Sequence, residues 1–390
     1  MTDIIDNSDF FKVCQVYTSF IEIYSIFFND IDDQGENRTL AEKPVFNIST
    51  MNSFSEEYES YFNDHIPFRN IIININSKIK YFCFHDSPNN NVVIGKNNWL
   101  YLKKGEIDSY KKINVYNEKT LTAAADYFNV VSKYCADNGA ELLIFIPPDK
   151  ASIYPENVPD YVKVLNNPKN RAEVFSEYIN KNTNVKVIYP KSALLEAKAM
   201  LDEDVYYTYD SHWNHVGAYI GTKALVKEMG VTLPDLSDVT LSQNNTINYS
   251  LAGMLGIKDI MTNEEDYEIS GYNDLSDPYI EYIDDGIGNN VITTSVTPKS
   301  DKKVLLLRDS FFTAMEPYVS SCFKSIHAPH YNLCYSPEMI KEESPDYVVI
   351  EIVERALDTF TYLDIIPPDE IGISPWDRFY PEIDSKLYLD

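Results

Sequence analysis

Short apolar runs alternating with amphipathic stretches are the dominant pattern along this chain. Leu142 to Ile146 and Val304 to Leu307 are apolar without interruption, as a strand covered on both faces requires. Val185 to Tyr189, Lys324 to Ala328 and Tyr347 to Val353 predict further strands. Between them, Thr120 to Asn138 keeps a helical period and ends at Gly139, a residue suited to closing a helix. Asn170 to Lys181 predicts a second helix, and Asn214 can cap a third that runs to Met229 with Gly230 behind it. Residues 54–85 predict one or two helices broken near Pro67. Two β-rich runs between Asn89 and Leu102 flank Gly95-Lys96-Asn97-Asn98, a hairpin signature. No repeat period is present.

Strands separated by helices imply an α/β fold on a doubly wound parallel sheet, with ligands at the carboxyl ends of the strands. The expected organisation is an N-terminal helix and linker over residues 1–53, then one main domain over 54–362 opening with a helical and hairpin extension, and an irregular tail over 363–390. Residues 235–300 are acidic, Asn-rich and poorly periodic, and read as a long insertion with the character of a lid. Phe10 to Phe28 leans apolar but is interrupted by Lys12, Gln15 and Glu22 and follows Asp3, Asp6 and Asp9. A degenerate signal anchor and an amphipathic surface helix both fit that stretch.

At 390 residues, with 44% hydrophobic and 24% charged positions, the chain has the composition and length to bury a full core. Its net charge of −27 changes the picture of partners. Such a surface repels nucleic acid and anionic headgroups, because the cations that neutralise phosphates are in deficit. It also disfavours a strongly anionic polysaccharide and makes a neutral acceptor easier to accommodate. The five cysteines (Cys14, Cys83, Cys135, Cys322, Cys334) show neither C-x-x-C nor zinc spacing.

The chemistry concentrates in two motifs. Tyr209-Asp210-Ser211-His212-Trp213-Asn214 puts a carboxylate two residues before an imidazole, at the mouth of a predicted helix. Leu305-Leu306-Leu307-Arg308-Asp309-Ser310-Phe311 puts a serine where a buried strand breaks into the next helix. In extended chain, residues i and i+2 project to the same side, about 6–7 Å apart. Asp210 can therefore orient Nδ1 of His212 while Nε2 faces Ser310, a set suited to acyl transfer. The first free N–H groups of the helix after Ser310 would lie near the developing oxyanion. Each feature also has a plainer reading. Ser310 can be a simple helix N-cap. Asp210, His212 and His215 form D-x-H-x-x-H, a spacing that can hold zinc or iron, although His215 would point away from His212. Trp213 is either a core aromatic or a sugar-stacking platform.

Asp210-Ser211-His212-Trp213-Asn214 with Gly217, followed by Arg308-Asp309-Ser310-Phe311, resembles the alginate O-acetyltransferase-like branch of the SGNH (GDSL) hydrolase superfamily. That branch includes the AlgX/AlgJ-like proteins and the DHHW proteins. Further matches keep their order from residue 36 to 358. They include Glu36 to Leu40, Tyr61 to Arg69, Ile94 to Leu100, Pro147-Pro148-Asp149-Lys150, Tyr154-Pro155-Glu156, and Pro345-Asp346-Tyr347 leading to Glu354-Arg355. The resemblance implies an SGNH-type α/β fold and a triad of Ser310, His212 and Asp210. It also implies O-acetylation of a cell-envelope or secreted polysaccharide outside the cytoplasm, with acetyl passed on by a membrane-bound O-acyltransferase partner. No metal or organic cofactor is expected. Two positions depart from the pattern: Arg308 stands where superfamily members often carry Gly, and Tyr249-Ser250-Leu251-Ala252 replaces Gly-Asp-Leu-Ala.

The leading expectation is a serine-dependent polysaccharide O-acetyltransferase working through acetyl-Ser310. A carbohydrate esterase with the same triad and a non-catalytic polysaccharide-binding scaffold are the rivals. Arg308, Arg355, Tyr331 and Trp213 are candidates for oxyanion or substrate contact, and Arg355 reads equally as an ion-pair partner beneath the sheet.

Overall fold

Side-chain alternation along the central strands explains the architecture. In the strand Ser300–Leu307, Val304 and Leu306 enter one buried cluster while Leu305 and Leu307 enter another. The strand Glu141–Phe145 divides in the same way, with Leu143 and Phe145 on one side and Leu142 and Ile144 on the other. Period-two alternation with both faces apolar is possible only where each face of the sheet is roofed, and this sheet is roofed by helices.

The computed structural model describes residues 41–45, 53–64, 69–113, 115–246, 249–261, 264–273, 280–283, 290–330 and 338–357. The apolar stretch Phe10 to Phe28 and the tail 363–390 lie outside these. In chain order the strands are β1 (Val92–Ile94), β2 (Leu100–Leu102), β3 (Glu141–Phe145), β4 (Lys186–Ile188), β5 (Thr240–Thr246), β6 (Glu264–Ser270), β7 (Ile280–Ile283), β8 (Asn290–Ser295), β9 (Ser300–Leu307), β10 (Phe323–Pro329) and β11 (Tyr347–Glu351). The main sheet has the order β4-β3-β11-β9-β10-β8-β7. The first five run parallel to one another, while β8 and β7 add antiparallel strands at the β10 edge.

One face is covered by helices His215–Glu228 and Phe312–Cys322, through Leu225, Val226, Phe312, Met315 and Val319. The other is covered by helices Glu118–Asp137 and Arg171–Asn182, through Leu121, Phe128, Phe175 and Ile179. Each fully buried Leu, Ile or Phe contributes roughly 1.5–3 kcal/mol. Local signals start and stop these helices. Asn117 accepts from Thr120 N–H, Asn170 forms a reciprocal capping box with Glu173, and Gly139 and Gly230 take positive φ just past two helix ends.

The described chain separates into two compact units, residues before Val93 with the segment Ala252 to Thr262, and the remainder. In the smaller unit, helices Phe54–Asp64 and Arg69–Ile79 are followed by a wider helical turn, Lys80–Phe84, that stops at left-handed His85. The buried Lys78 ammonium pairs with Asp259 at 2.6 Å, and Asn89 Nδ2 donates to Met254 O. The larger unit holds the main sheet. Among the described residues, no helix is long and apolar enough to cross a membrane.

Residues 235–300, read from sequence as one irregular insertion, carry the strands β5, β6, β7 and β8 among their described residues. β5 and β6 pair with each other, and β7 and β8 extend the main sheet.

Candidate active site

Register brings three strand ends level: Glu351 pairs with Phe145 and Ile350 with Leu307. The chains leaving β3, β9 and β11 therefore share one end of the sheet, where an α/β fold puts its ligand. After β9 the chain turns sharply into helix Phe312–Cys322, and polar side chains hold that turn. Asp309 Oδ1 accepts from Phe311 N–H at 2.8 Å, closing it, and Oδ2 accepts from Val353 N–H at 2.7 Å. Glu351 Oε2 accepts from Asp309 N–H at 2.7 Å. Burial, reinforced by neighbouring Asp309, pushes the Glu351 carboxyl well above the usual range. Ser310, at the tip, is half-buried while Phe311 and Phe312 behind it are fully buried.

The Asp-His segment is a narrow antiparallel loop. Tyr207 N–H donates to His212 O and Asn214 N–H to Val205 O, while Tyr206 bridges Trp213. Asn214 caps the next helix, with Oδ1 accepting from Gly217 N–H at 3.1 Å. Glycine is needed at two positions of that helix, because a Cβ at Gly217 would meet Val205 O at 2.2 Å and one at Gly221 would meet the Trp213 ring at 2.8 Å. The helix thus packs directly on the loop and the indole.

Two motifs far apart in sequence meet here. His212 Nε2 lies 2.7 Å from Ser310 Oγ, and Nδ1 lies 2.6 Å from Asp210 Oδ1. One residue along, Trp213 Nε1–H donates to Phe311 O at 3.0 Å, so the loop and the serine turn are joined by a buried hydrogen bond as well. The remaining Asp210 lone pairs are used by backbone: Oδ1 accepts from His212 N–H at 3.0 Å and Oδ2 from Ser250 N–H at 2.9 Å. Burial raises the Asp210 carboxyl, but the His212 charge and hydrogen bonds and the Ser250 donor outweigh it and hold the group well below the usual carboxylate range. The Tyr249-Ser250-Leu251-Ala252 segment reaches the site through Ser250, whose N–H and side chain both lower the Asp210 carboxyl.

Several buried polar residues around the site had no role assigned from sequence. Lys150 Nζ donates to the carbonyls of Tyr207, Thr208 and Asp210 at 3.0, 3.1 and 2.6 Å. Glu264 of β6 accepts from Tyr209 N–H, and Asp266 accepts from Tyr207 OH at 2.6 Å and from His215 N–H at 3.2 Å. The β5–β6 pair thus supports the loop from the side. Glu354 is fully buried and accepts five hydrogen bonds, from Ser109, Ser152, Asn170, Tyr189 and the Asp149 amide.

The other candidates fall differently. Trp213 is 0% exposed and its N–H is occupied by Phe311 O, so it is a core aromatic and the stacking-platform reading is corrected. Arg355 is buried, with Nη1 on Asp149 Oδ1 at 2.8 Å and its guanidinium 5.1 Å from the Phe311 ring, which makes it an ion-pair partner behind the serine turn. Arg308 is also buried, its Nε directed to Ala328 O at 3.4 Å and its guanidinium over Phe312. Tyr331 lies outside the described residues. His215 Nδ1 meets Tyr318 OH at 3.0 Å rather than joining His212. Among the described residues, no three His, Cys, Asp or Glu side chains gather as a metal would require.

Residues 92–255 match the family model described as SGNH hydrolase-like domain, acetyltransferase AlgX. Over this segment the chain is similar to that family. The match includes Asp210 and His212 and ends before Ser310. No curated protein matches the chain. Among solved structures, PatB1 of Bacillus cereus is similar at 14% identity and a TM-score of 0.50, over 73% of this chain and 98% of that one. The O-acetyltransferase domain of Pseudomonas putida AlgJ aligns at 17% identity and a TM-score of 0.45, over 71% and 93%. A DHHW family protein from Eubacterium siraeum aligns at 16% identity and a TM-score of 0.46, over 71% and 95%. At such identities the PatB1 likeness is one of fold. The SGNH-like α/β fold is thus reached both from the mostly parallel sheet and from the family match.

Proposed function

We propose that this protein is a serine-dependent O-acetyltransferase that acetylates a hydroxyl of a cell-envelope or secreted polysaccharide, with Ser310 as nucleophile, His212 as base and Asp210 as its orienter. The observation that carries the reading is the unbroken line Asp210–His212–Ser310, with heavy-atom separations of 2.6 and 2.7 Å. In the first half-reaction His212 Nε2 takes the Ser310 proton as Oγ adds to the acetyl carbonyl. The tetrahedral oxyanion is met by the Ser310 amide N–H, a donor worth roughly 3 kcal/mol. Collapse expels the leaving group, which takes the proton from His212, and leaves acetyl-Ser310. A sugar hydroxyl then gives its proton to Nε2 and attacks the ester, and collapse returns that proton to Oγ. Asp210, held charged, stabilises the imidazolium in both halves.

The family whose model matches residues 92–255 is an acetyltransferase family, which favours sugar over water as acceptor. Work outside the cytoplasm, with a membrane-bound O-acyltransferase as acetyl source, belongs to the same proposal. The test is purified protein given an activated acetyl ester and a neutral oligosaccharide. Acetylated oligosaccharide, absent with Ser310→Ala, is expected. Free acetate as the sole product would replace transfer with esterase activity, and Ser310-independent turnover would remove the triad reading.

A further inference from the structure

We propose that Lys150 is a positioning residue for the acyl-transfer centre, its buried ammonium fixing the backbone of Tyr207 to Asp210 so that the Asp210 carboxylate stays in line with His212 and Ser310. This rests on the function assigned above to those three residues.

Lys150 opens the short helical turn Lys150–Ile153, just past the Pro147-Pro148 pair that ends β3. Its side chain is 0% exposed. An ammonium has three hydrogens, and here three carbonyl oxygens from one short loop lie within reach, the Asp210 carbonyl nearest at 2.6 Å. With its donors spent on backbone, Lys150 has none left for substrate. Its stem side is walled by aromatic rings, with Nζ 5.5 Å from the Trp99 centroid and 5.2 Å from that of Tyr101. Carbonyls pointing at one buried spot repel one another and need a cation between them. Lys150 supplies it from the helical turn that follows β3, whereas the loop segment Tyr207 to Asp210 holds no cation of its own.

The opposite polarity of the same loop is gripped from elsewhere. Glu264 takes the Tyr209 N–H. On the carbonyl side β2 assists Lys150, with Leu100 N–H donating to Thr208 O at 3.0 Å. The charged groups facing Lys150 are Glu106, Glu264, the Asp210 carboxylate and Arg355. Glu106 is itself occupied by Leu102 N–H at 2.8 Å and Ala151 N–H at 3.0 Å.

Burial lowers Lys150 to about 8, against the pull of the surrounding carboxylates. Above that pH the neutral amine keeps two hydrogens for three carbonyls, and the grip on the loop loosens. Glu264 is pushed up to about 8 by burial, and its ionisation in the same window makes it a better acceptor for Tyr209 N–H. Lys150→Arg separates the two groups, because it moves a limb that belongs to Lys150 and leaves in place one that belongs to Glu264. Global stability moves the other way through Lys150: its folded value lies below its unfolded one, so the unfolded chain binds more protons between them and stability rises with pH there. A purely structural lysine would not make activity and stability diverge.

The experiment measures kcat and KM of ester turnover for the full chain, for Lys150→Met and for Lys150→Arg, with Ser310→Ala as reference. Expected for Lys150→Met is a kcat loss of about 100-fold with KM within about threefold, the effect of misplacing a catalytic group by about an ångström. The wild-type kcat should fall along an alkaline limb with its midpoint near 8, and Lys150→Arg should keep activity and move that limb upward. A Lys150→Met kcat within about threefold of wild type overturns the proposal, because such a placement change cannot be that cheap. If neither variant folds, the wild-type profile decides alone, and a kcat that stays flat from about pH 7 to about pH 10 overturns it. Turnover that survives Ser310→Ala sinks the function reading instead, so the two failures are distinguishable.

Discussion

Replacing Asp210 by Asn tests how the carboxylate works, because shape is kept and one charge is removed. Three donors converge on its two oxygens: His212 Nδ1 and His212 N–H on Oδ1, and Ser250 N–H on Oδ2. An amide must turn its NH2 toward one side. Facing His212 it would oppose two donors, and facing Ser250 only one, so the second orientation wins. The imidazole then keeps its tautomer and its bond to the amide oxygen but loses the negative charge that stabilises it when protonated. For charges about 4 Å apart at an effective dielectric constant near 20, that attraction is about 4 kcal/mol. At 1.36 kcal/mol per decade the rate should fall about 1,000-fold. The assay is kcat/KM for acetyl transfer, with circular dichroism to confirm that the variant is folded. A folded variant that loses less than about tenfold would refute the role given to Asp210, since roughly 1.4 kcal/mol is too little for a lost catalytic charge.

Two further outcomes follow from buried charge. Glu354→Gln presents an NH2 to at least two of the five donors that now converge on Glu354. At about 1.5–3 kcal/mol for each bond to a charged acceptor, stability should drop by at least about 3 kcal/mol, read as a lower urea midpoint with unchanged slope. An unmoved midpoint would contradict the network. The depressed Asp210 carboxyl contributes stability above its unfolded value of about 3.9, lost as pH falls through the folded value. The Asp210→Asn deficit in urea midpoint should therefore be full at neutral pH and shrink in acid, and a deficit independent of pH would show that Asp210 is not held charged by its surroundings.

Elements buried on both faces were legible in sequence because nothing polar interrupts them. β3 and β9 lie where the runs Leu142 to Ile146 and Val304 to Leu307 put them, and Gly139, Asn170, Asn214 and Gly230 mark helix ends through backbone chemistry that is local. β6 was not legible, for the opposite reason. Its inward positions include Glu264 and Asp266, acids whose partners Tyr209, Tyr207 and His215 are distant in the chain, so an alternation test sees only polar residues. Lys150 hid in the same way, as a lysine past a strand end normally reaches solvent. The residue types of Asp210, His212 and Ser310 could be read from two motifs, but their convergence depends on the Trp213 bond to Phe311 O and on strand register, neither of which leaves a local trace.

The most direct measurement is mass spectrometry of the protein quenched during turnover of an activated acetyl ester, followed by peptide mapping. The account predicts one acetyl group on the peptide containing Ser310, removed on adding a neutral oligosaccharide and absent from Ser310→Ala. An acetyl group on another residue that passes to the sugar at the same rate, or transfer with no acetylated protein under any quench, would contradict it.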